Sequence, residues 1–254
     1  MKFVVIGGTG LIGSRVVAEL REQGHETVAA SPRNGVNSVT GEGLTDALAG
    51  AAVVVDVPNS PSFADDAVMA FFRASTGNLL RAATAASVRH YVALSIVGVD
   101  AIPDSGYMRA KTEQERLIRA SGLPYSIVRA TQFFEFLDGI ADMATEGSTV
   151  RLAPFLLQPI AAEEVAAAVV RVALGEPING TVDIAGPERF SQVEAIGWVL
   201  ASRRDPREVV VDPRARYNGA RLSEAALVPA GEAFLGRVTL EDWLGRSHDE
   251  SASR

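Results

Sequence analysis

Tyr107 and Lys111 stand four residues apart in the stretch SGYMRAKTEQERLI, residues 105 to 118. If that stretch is helical, the two side chains lie on one face, a single turn apart. A free phenol titrates near pH 10, so it exchanges protons at neutral pH only where a nearby positive charge favours phenolate, and a lysine one turn away can supply that charge. The same spacing also suits a tyrosine packing its ring against the protein with a lysine extended beside it. Upstream, Ser95 closes the apolar run HYVALS. The carboxyl end of a parallel strand is where doubly wound folds gather ligand groups.

A second constellation opens the chain. VVIGGTGLIGSRVV places Gly7, Gly10 and Gly13 between an apolar run and an amphipathic pattern. That spacing permits a tight turn, close approach of the backbone to a pyrophosphate and close helix–strand packing, with the helix amino terminus aimed at the phosphates. Thr9, Leu11 and Ile12 lie in the same turn and join the expected cofactor-binding set. At the end of the next strand an acidic side chain would accept bonds from both ribose hydroxyls and favour NAD. VAASPRNG offers Ser31 and Arg33 there instead, a hydroxyl and a guanidinium that suit a 2′-phosphate. NADP is therefore expected over NAD, although a solvated Arg33 and a ribose approached by Glu42 is the competing arrangement.

The elements that must position these groups follow from periodicity. KFVVIG, HETVAA, AAVVVDV, HYVALSI and YSIVRA are short and nearly continuously apolar, as strands buried on both faces are. Between them lie LIGSRVVAELREQG, ADDAVMAFFRASTGNLLRAATAAS and GYMRAKTEQERLIRASG, with apolar spacing near 3.6 and stops at Gly24 and Gly122. The alternation predicts an α/β fold, a doubly wound parallel sheet of the Rossmann kind. After about residue 147 the rhythm loosens around one strong helix near 161–174. The predicted organisation is a dinucleotide-binding domain over 1–175, its core reaching to about 150, a smaller substrate-side carboxyl-terminal lobe over 176–247 partly interleaved with it, and a polar tail over 248–254.

Composition excludes several function classes. Hydrophobic residues at 47% and charged residues at 22% describe an ordinary globular chain rather than a disordered one. No cysteine is present, which removes disulfides, thiolate catalysis and thiolate metal sites together. His25, His90 and His248 have no second ligand at metal spacing, so no metal is expected. Asp65–Asp66 and Glu163–Glu164 fall in expected first turns of helices, where negative charge offsets the macrodipole. A net charge of −7 argues against a nucleic-acid partner. The opening apolar run, four residues long, is far short of the ~20 that cross a bilayer, so a cytoplasmic protein without a membrane partner is expected. A small-molecule substrate is the expected partner; a homodimer is left open.

A glycine triplet at the amino terminus with Tyr-x-x-x-Lys about a hundred residues later resembles the short-chain dehydrogenase/reductase superfamily. GGTGLIGSRVVAEL, TGNLLRAATAASVRHYVALS and GLPYSIVRATQFFE are similar to its atypical, NmrA-like branch over most of residues 1 to 175, and NGTVDIAGPERFS more loosely. The resemblance implies that Tyr107 is a general acid/base, that Lys111 holds the nicotinamide ribose and lowers the tyrosine's pKa, and that Ser95 hydrogen-bonds a substrate carbonyl. It further implies a cofactor-facing position for Asn59 and a substrate pocket bordered by Thr131, Gln132, Phe133 and Phe134. The function implied is an NADP-dependent oxidoreductase acting on a small carbonyl or quinone-like molecule. The same branch contains dinucleotide-sensing regulators without turnover, and the retained Tyr107 points instead to chemistry.

Overall fold

A computed structural model of the chain describes residues 1–252, with side chains through Arg246. In chain order it runs β1 (Lys2–Ile6), α1 (Leu11–Glu22), β2 (Glu26–Ala30), α2 (Leu44–Leu48), β3 (Val53–Asp56), α3 (Asp65–Ala85), β4 (His90–Ile96), α4 (Gly106–Ala120) and β5 (Tyr125–Ala130). There follow α5 (Leu137–Met143), β6 (Thr145–Glu146), β7 (Thr149–Leu152), β8 (Leu156–Leu157), α6 (Ala162–Leu174), β9 (Gly180–Ala185), β10 (Phe190–Ser191), α7 (Gln192–Ser202), β11 (Glu208–Val211), β12 (Phe234–Leu235) and α8 (Leu240–Ala252). Seven strands form one parallel sheet in the order β12-β9-β5-β4-β3-β1-β2. The expected α/β doubly wound sheet is present.

The period of two in β1 shows how the sequence builds the layers. Phe3 and Val5 point into one core with Val16 and Leu20 of α1 and Val165 and Val169 of α6. Val4 and Ile6 point into the opposite core with Leu79 of α3, Tyr91 of β4 and Ile118 of α4. Helices therefore cover both faces, and each strand is apolar on both because neither face meets water. Burying such side chains contributes roughly 1.5–3 kcal/mol each, opposed by the conformational entropy of ordering the chain.

α4 carries the tyrosine and lysine. The Ser105 hydroxyl caps it by accepting from the Met108 amide, and Gly122, at φ +75°, turns the chain beyond its last residue. Asp65–Asp66 and Glu163–Glu164 do lie in the first turns of α3 and α6. Residues 36–43 make turns rather than a further edge strand, tied to α3 by Asn78, whose amide donates to the Ser38 and Val39 carbonyls.

The carboxyl-terminal third is divided between sheets. β9 and β12 extend the main sheet, while β11-β7-β6 form a separate small one and β10 pairs with β8. The strands of the small sheet sit over a third core with α5 and α7, built on Leu137, Val150, Leu152, Ile196 and Val199. Residues 248–252 are the end of α8, and residues 253–254 of the expected tail lie outside the described residues, as does the side chain of His248. No helix among the described residues is long and apolar enough to cross a membrane.

Candidate functional site

The glycine loop joins β1 to α1 at the carboxyl edge of the sheet. Gly7 and Gly8 donate to the Ala30 carbonyl, fixing the loop against the end of β2. Gly7 has φ +78° and a Cβ there would stand 2.9 Å from the Pro58 backbone; a Cβ on Gly13 would overlap the Gly7 carbonyl. Glycine is therefore required by contact as well as by conformation. Gly10 and Thr9 are exposed, Leu11 is half-buried, and Ile12 is core. No side chain caps α1 and no acid lies in its first turn, so its free amides present an uncompensated positive end.

At the end of β2 the Ser31 hydroxyl is buried without a hydrogen-bond partner, an expensive state that a polar ligand would relieve. Arg33 is exposed and bonds to no described residue. A phosphate-receptive loop, an orphaned hydroxyl and a free guanidinium fit a dinucleotide.

Asn59 follows β3 beside this loop. Its Oδ1 accepts from the Ser60 amide at 2.9 Å and from the Tyr107 hydroxyl at 3.2 Å, bringing two of the expected residues together. The Tyr107 ring is packed edge-on by Phe63 and Phe72, with centroids at 5.4 and 6.3 Å. Burial pushes the phenol up to about 12, with the bond to Asn59 opposing weakly, so it is protonated at neutral pH.

Lys111 shares the face of α4 with Tyr107 but turns inward. Its ammonium donates to the Leu94 carbonyl at 2.8 Å and to Gln114 Oε1, and lies 4.6 Å from the Phe72 ring centre. Burial lowers it to about 8 against the opposing pull of Asp56 and Glu115. Beneath it, Asp56 accepts from Tyr91 at 2.7 Å and Gln114 at 2.9 Å, while its Oδ1 has no partner. Burial raises the Asp56 carboxyl, and those hydrogen bonds with the Lys111 charge offset the rise only partly. The only hint of this network in the sequence was an acid closing the run VVVD.

Ser95 is fully engaged in another cluster. Its hydroxyl donates to Glu115 Oε1 at 2.6 Å, and Arg129 clasps the same carboxylate at 2.9 and 2.6 Å. Burial works to raise Glu115, yet Arg129, Ser95 and Arg119 outweigh it and hold the carboxyl below its usual range. Glu115 lies one turn beyond Lys111, so α4 carries Tyr107, Lys111 and Glu115 as a stripe, of which only the first reaches the cleft. Ser95→Ala should therefore act through the fold, with about 1.5–3 kcal/mol lost from a charge-assisted bond, read by urea denaturation, and a turnover number within about threefold of wild type. A hundredfold fall in turnover with unchanged stability would place its hydroxyl on the substrate.

The segment after β5 divides similarly. The Thr131 hydroxyl donates to the Gln158 carbonyl at 2.6 Å, and Phe134, 1% exposed, packs 5.6 Å from the Trp243 ring inside the third core. Gln132 keeps a buried Oε1 without a partner, and the half-buried Phe133 stacks on Phe136 at 5.3 Å. Among the described residues no three His, Asp or Glu side chains are grouped to hold a metal.

Comparison with known proteins gives this arrangement its family. A model of NAD(P)H-binding proteins matches residues 7–176. A (4-alkanoyl-5-oxo-2,5-dihydrofuran-3-yl)methyl phosphate reductase of Streptomyces griseus is 30% identical over 91% of this chain and 84% of its own. The photosystem II assembly factor Ycf39 of Cyanophora paradoxa is 29% identical over 55% of this chain, which spans about half of that relative's length, 48%. In fold, a short-chain dehydrogenase/reductase superfamily protein from Agrobacterium tumefaciens with bound NAD superimposes with a TM-score of 0.73 at 20% identity, covering 100% of this chain and 98% of that one. With residues 7–176 matched, the chain belongs to the NAD(P)H-binding family, and it shares its fold with a short-chain dehydrogenase/reductase superfamily protein.

Proposed function

We propose that the protein is an NADP-dependent reductase of a small carbonyl, enone or quinone-like molecule, with Tyr107 as the proton donor. The observation that carries this reading is a protonated phenol held by Asn59, next to Pro58, whose backbone abuts Gly7 of the glycine loop. When bound, the dinucleotide supplies hydride. Tyr107 delivers a proton to the oxygen on which negative charge grows, and Phe63 and Phe72 hold its ring by edge-on contacts. Asn59 fixes the direction of the phenol and retains its own amide hydrogens for the same oxygen. Lys111 contributes positive charge below the site, and the ribose role expected of it requires its ammonium to exchange Gln114 for the sugar. Ser95 would reach a substrate only by giving up Glu115. The reductase relative supports this class, since its name describes an unsaturated lactone bearing an acyl group and a phosphate. The decisive assay is NADPH oxidation against a panel of aldehydes, enones and quinones; no turnover on any class would sink the proposal.

Cofactor choice rests on Ser31 and Arg33. Because Arg33 is exposed, solvent weakens its bond to a 2′-phosphate, and Arg33→Ala should raise the NADPH dissociation constant by about tenfold, the low end for a charge-assisted contact. NADH binding should hardly change. Calorimetric titration of both cofactors checks this, and a wild-type preference for NADH would overturn the assignment.

A second reading draws on the inward Lys111, which leaves the phenol without a cationic neighbour, and on the relative named as an assembly factor. In it the protein senses NADP redox state without turning the cofactor over.

A further inference from the structure

A cavity of about 450 Å³ lies in the carboxyl-terminal third, away from the glycine loop, between the end of α5, β7 and the segment after β11. Three arginines line it, Arg151, Arg214 and Arg216, against two acids, Glu146 and Asp212, in a chain whose net charge is −7. Both acids are already committed: Glu146 to Arg151 at 3.0 Å, and Asp212 to Arg214 at 3.7 Å. Arg216 has no acidic partner among the described residues. Its guanidinium donates only to the Gly219 carbonyl, at 3.1 Å.

Arg216 is held rather than loose. Tyr217 and Ala220 exchange both backbone hydrogen bonds, at 2.9 and 3.0 Å, across Asn218 and Gly219, whose φ values are 46° and 81°. This is the primed two-residue turn for which Asn-Gly is the favoured pair, and it leaves the residue before Tyr217 at the rim of the cavity. Phe155 braces the Tyr217 ring edge-on at 5.4 Å.

Two neutral polar groups line the same space unpaired. The Gln192 side chain, 3% exposed, makes no hydrogen bond to a described residue, and neither does the Tyr217 hydroxyl. Both residues line the cavity, where the Gln192 amide and the Tyr217 hydroxyl are available to donate to a ligand's acceptors. Tyr217 also connects the cavity to the cleft. It packs against the same apolar cluster as Tyr107, and burial together with the nearby Tyr107 phenol pushes its own phenol up.

We infer that this cavity is a subsite for a small oxyanion, the phosphate or carboxylate end of the substrate, with Arg216 as its principal cation and Gln192 and Tyr217 as neutral donors. The inference rests on the reductase reading for the statement that the anion belongs to a substrate, whose reducible end would lie towards Tyr107. Arg216, Gln192 and Tyr217 are all absent from the motifs that identify the family.

The test is calorimetric binding of phenyl phosphate, phenylacetate and neutral phenol to the protein saturated with NADP, which fills the phosphate-binding loop. At least one anion should bind ten times or more tightly than phenol, and the order of the two anions identifies the head group. Arg216→Gln should abolish that preference, Arg216→Lys should restore part of it, and phenol binding should stay unchanged. Equal binding of all three probes, or an anion preference indifferent to Arg216, would overturn the inference. So would displacement of NADP by the anion, which would move the site to the glycine loop. The readout is binding, so an inactive protein that still showed the Arg216-dependent preference would sink the reductase reading alone. The Arg216 dependence can equally be read without dinucleotide.

Discussion

Tyr107→Phe is expected to lower the turnover number for carbonyl reduction by about a hundredfold to ten-thousandfold, the usual contribution of a positioned general acid. Folding and NADPH affinity should be nearly unchanged. The ring remains in place against Phe63 and Phe72, and only the bond to Asn59 is lost. A quinone should be affected less, because it can take hydride without a placed proton donor. The pH profile separates the tyrosine from the lysine. With its phenol at about 12 in the free protein, Tyr107 keeps its proton throughout the working range, whereas Lys111, at about 8, loses its charge as pH rises. Reductive turnover should therefore fall above pH 8, and Lys111→Arg should carry activity to higher pH. Steady-state kinetics from pH 6 to 10 check both; an unchanged limb in Lys111→Arg would remove the lysine from the account.

The second large effect is expected at Gly13. An added methyl would overlap the Gly7 carbonyl, which belongs to the turn that must cradle the phosphates, so the loop has to move. Gly13→Ala should cost about 1–3 kcal/mol of stability through overpacking, and displaced amides should weaken NADPH binding by about tenfold to a hundredfold. Gly77→Ala is the matched control. It lies inside α3, where the added carbon would meet nothing nearer than an Arg81 nitrogen at 3.7 Å, and alanine should stabilise the helix by up to about 1 kcal/mol. Thermal melts and cofactor titrations of both variants distinguish a loop effect from a general one. Unchanged cofactor affinity in Gly13→Ala would contradict the cradle.

How far the sequence reaches depends on whether a residue's surroundings are local. The five apolar runs of the first half and the helices between them depend on short-range periodicity, and all are where that periodicity puts them. The glycine loop is local at Gly10 and Gly13, whose added carbons would meet Gly7 itself, whereas the need for glycine at Gly7 also comes from Pro58 beyond β3. Ser95 is different. A serine closing a strand can face the cleft or a helix, and the choice is made by pairing of β4 with β5, which sets Ser95 beside Arg129 and hands its hydroxyl to Glu115. The inward turn of Lys111 depends on the Leu94 carbonyl of β4 and on Gln114, itself held by Asp56 of β3. The cavity was least legible, since β7 pairs with β11 across all the elements from β8 to α7 and no periodic pattern announces two four-residue strands.

The central claim is that a bound dinucleotide is consumed here, and the most direct measurement is a single turnover. Protein holding stoichiometric NADPH is mixed with an aldehyde, an enone or a quinone, and the reduced nicotinamide absorbance is followed in time. At least one of these should discharge the bound NADPH completely, and for the aldehyde or enone Tyr107→Phe should slow the decay by a hundredfold or more. Tight NADPH binding with absorbance that persists against every acceptor would contradict the account and leave the protein as a sensor of its cofactor.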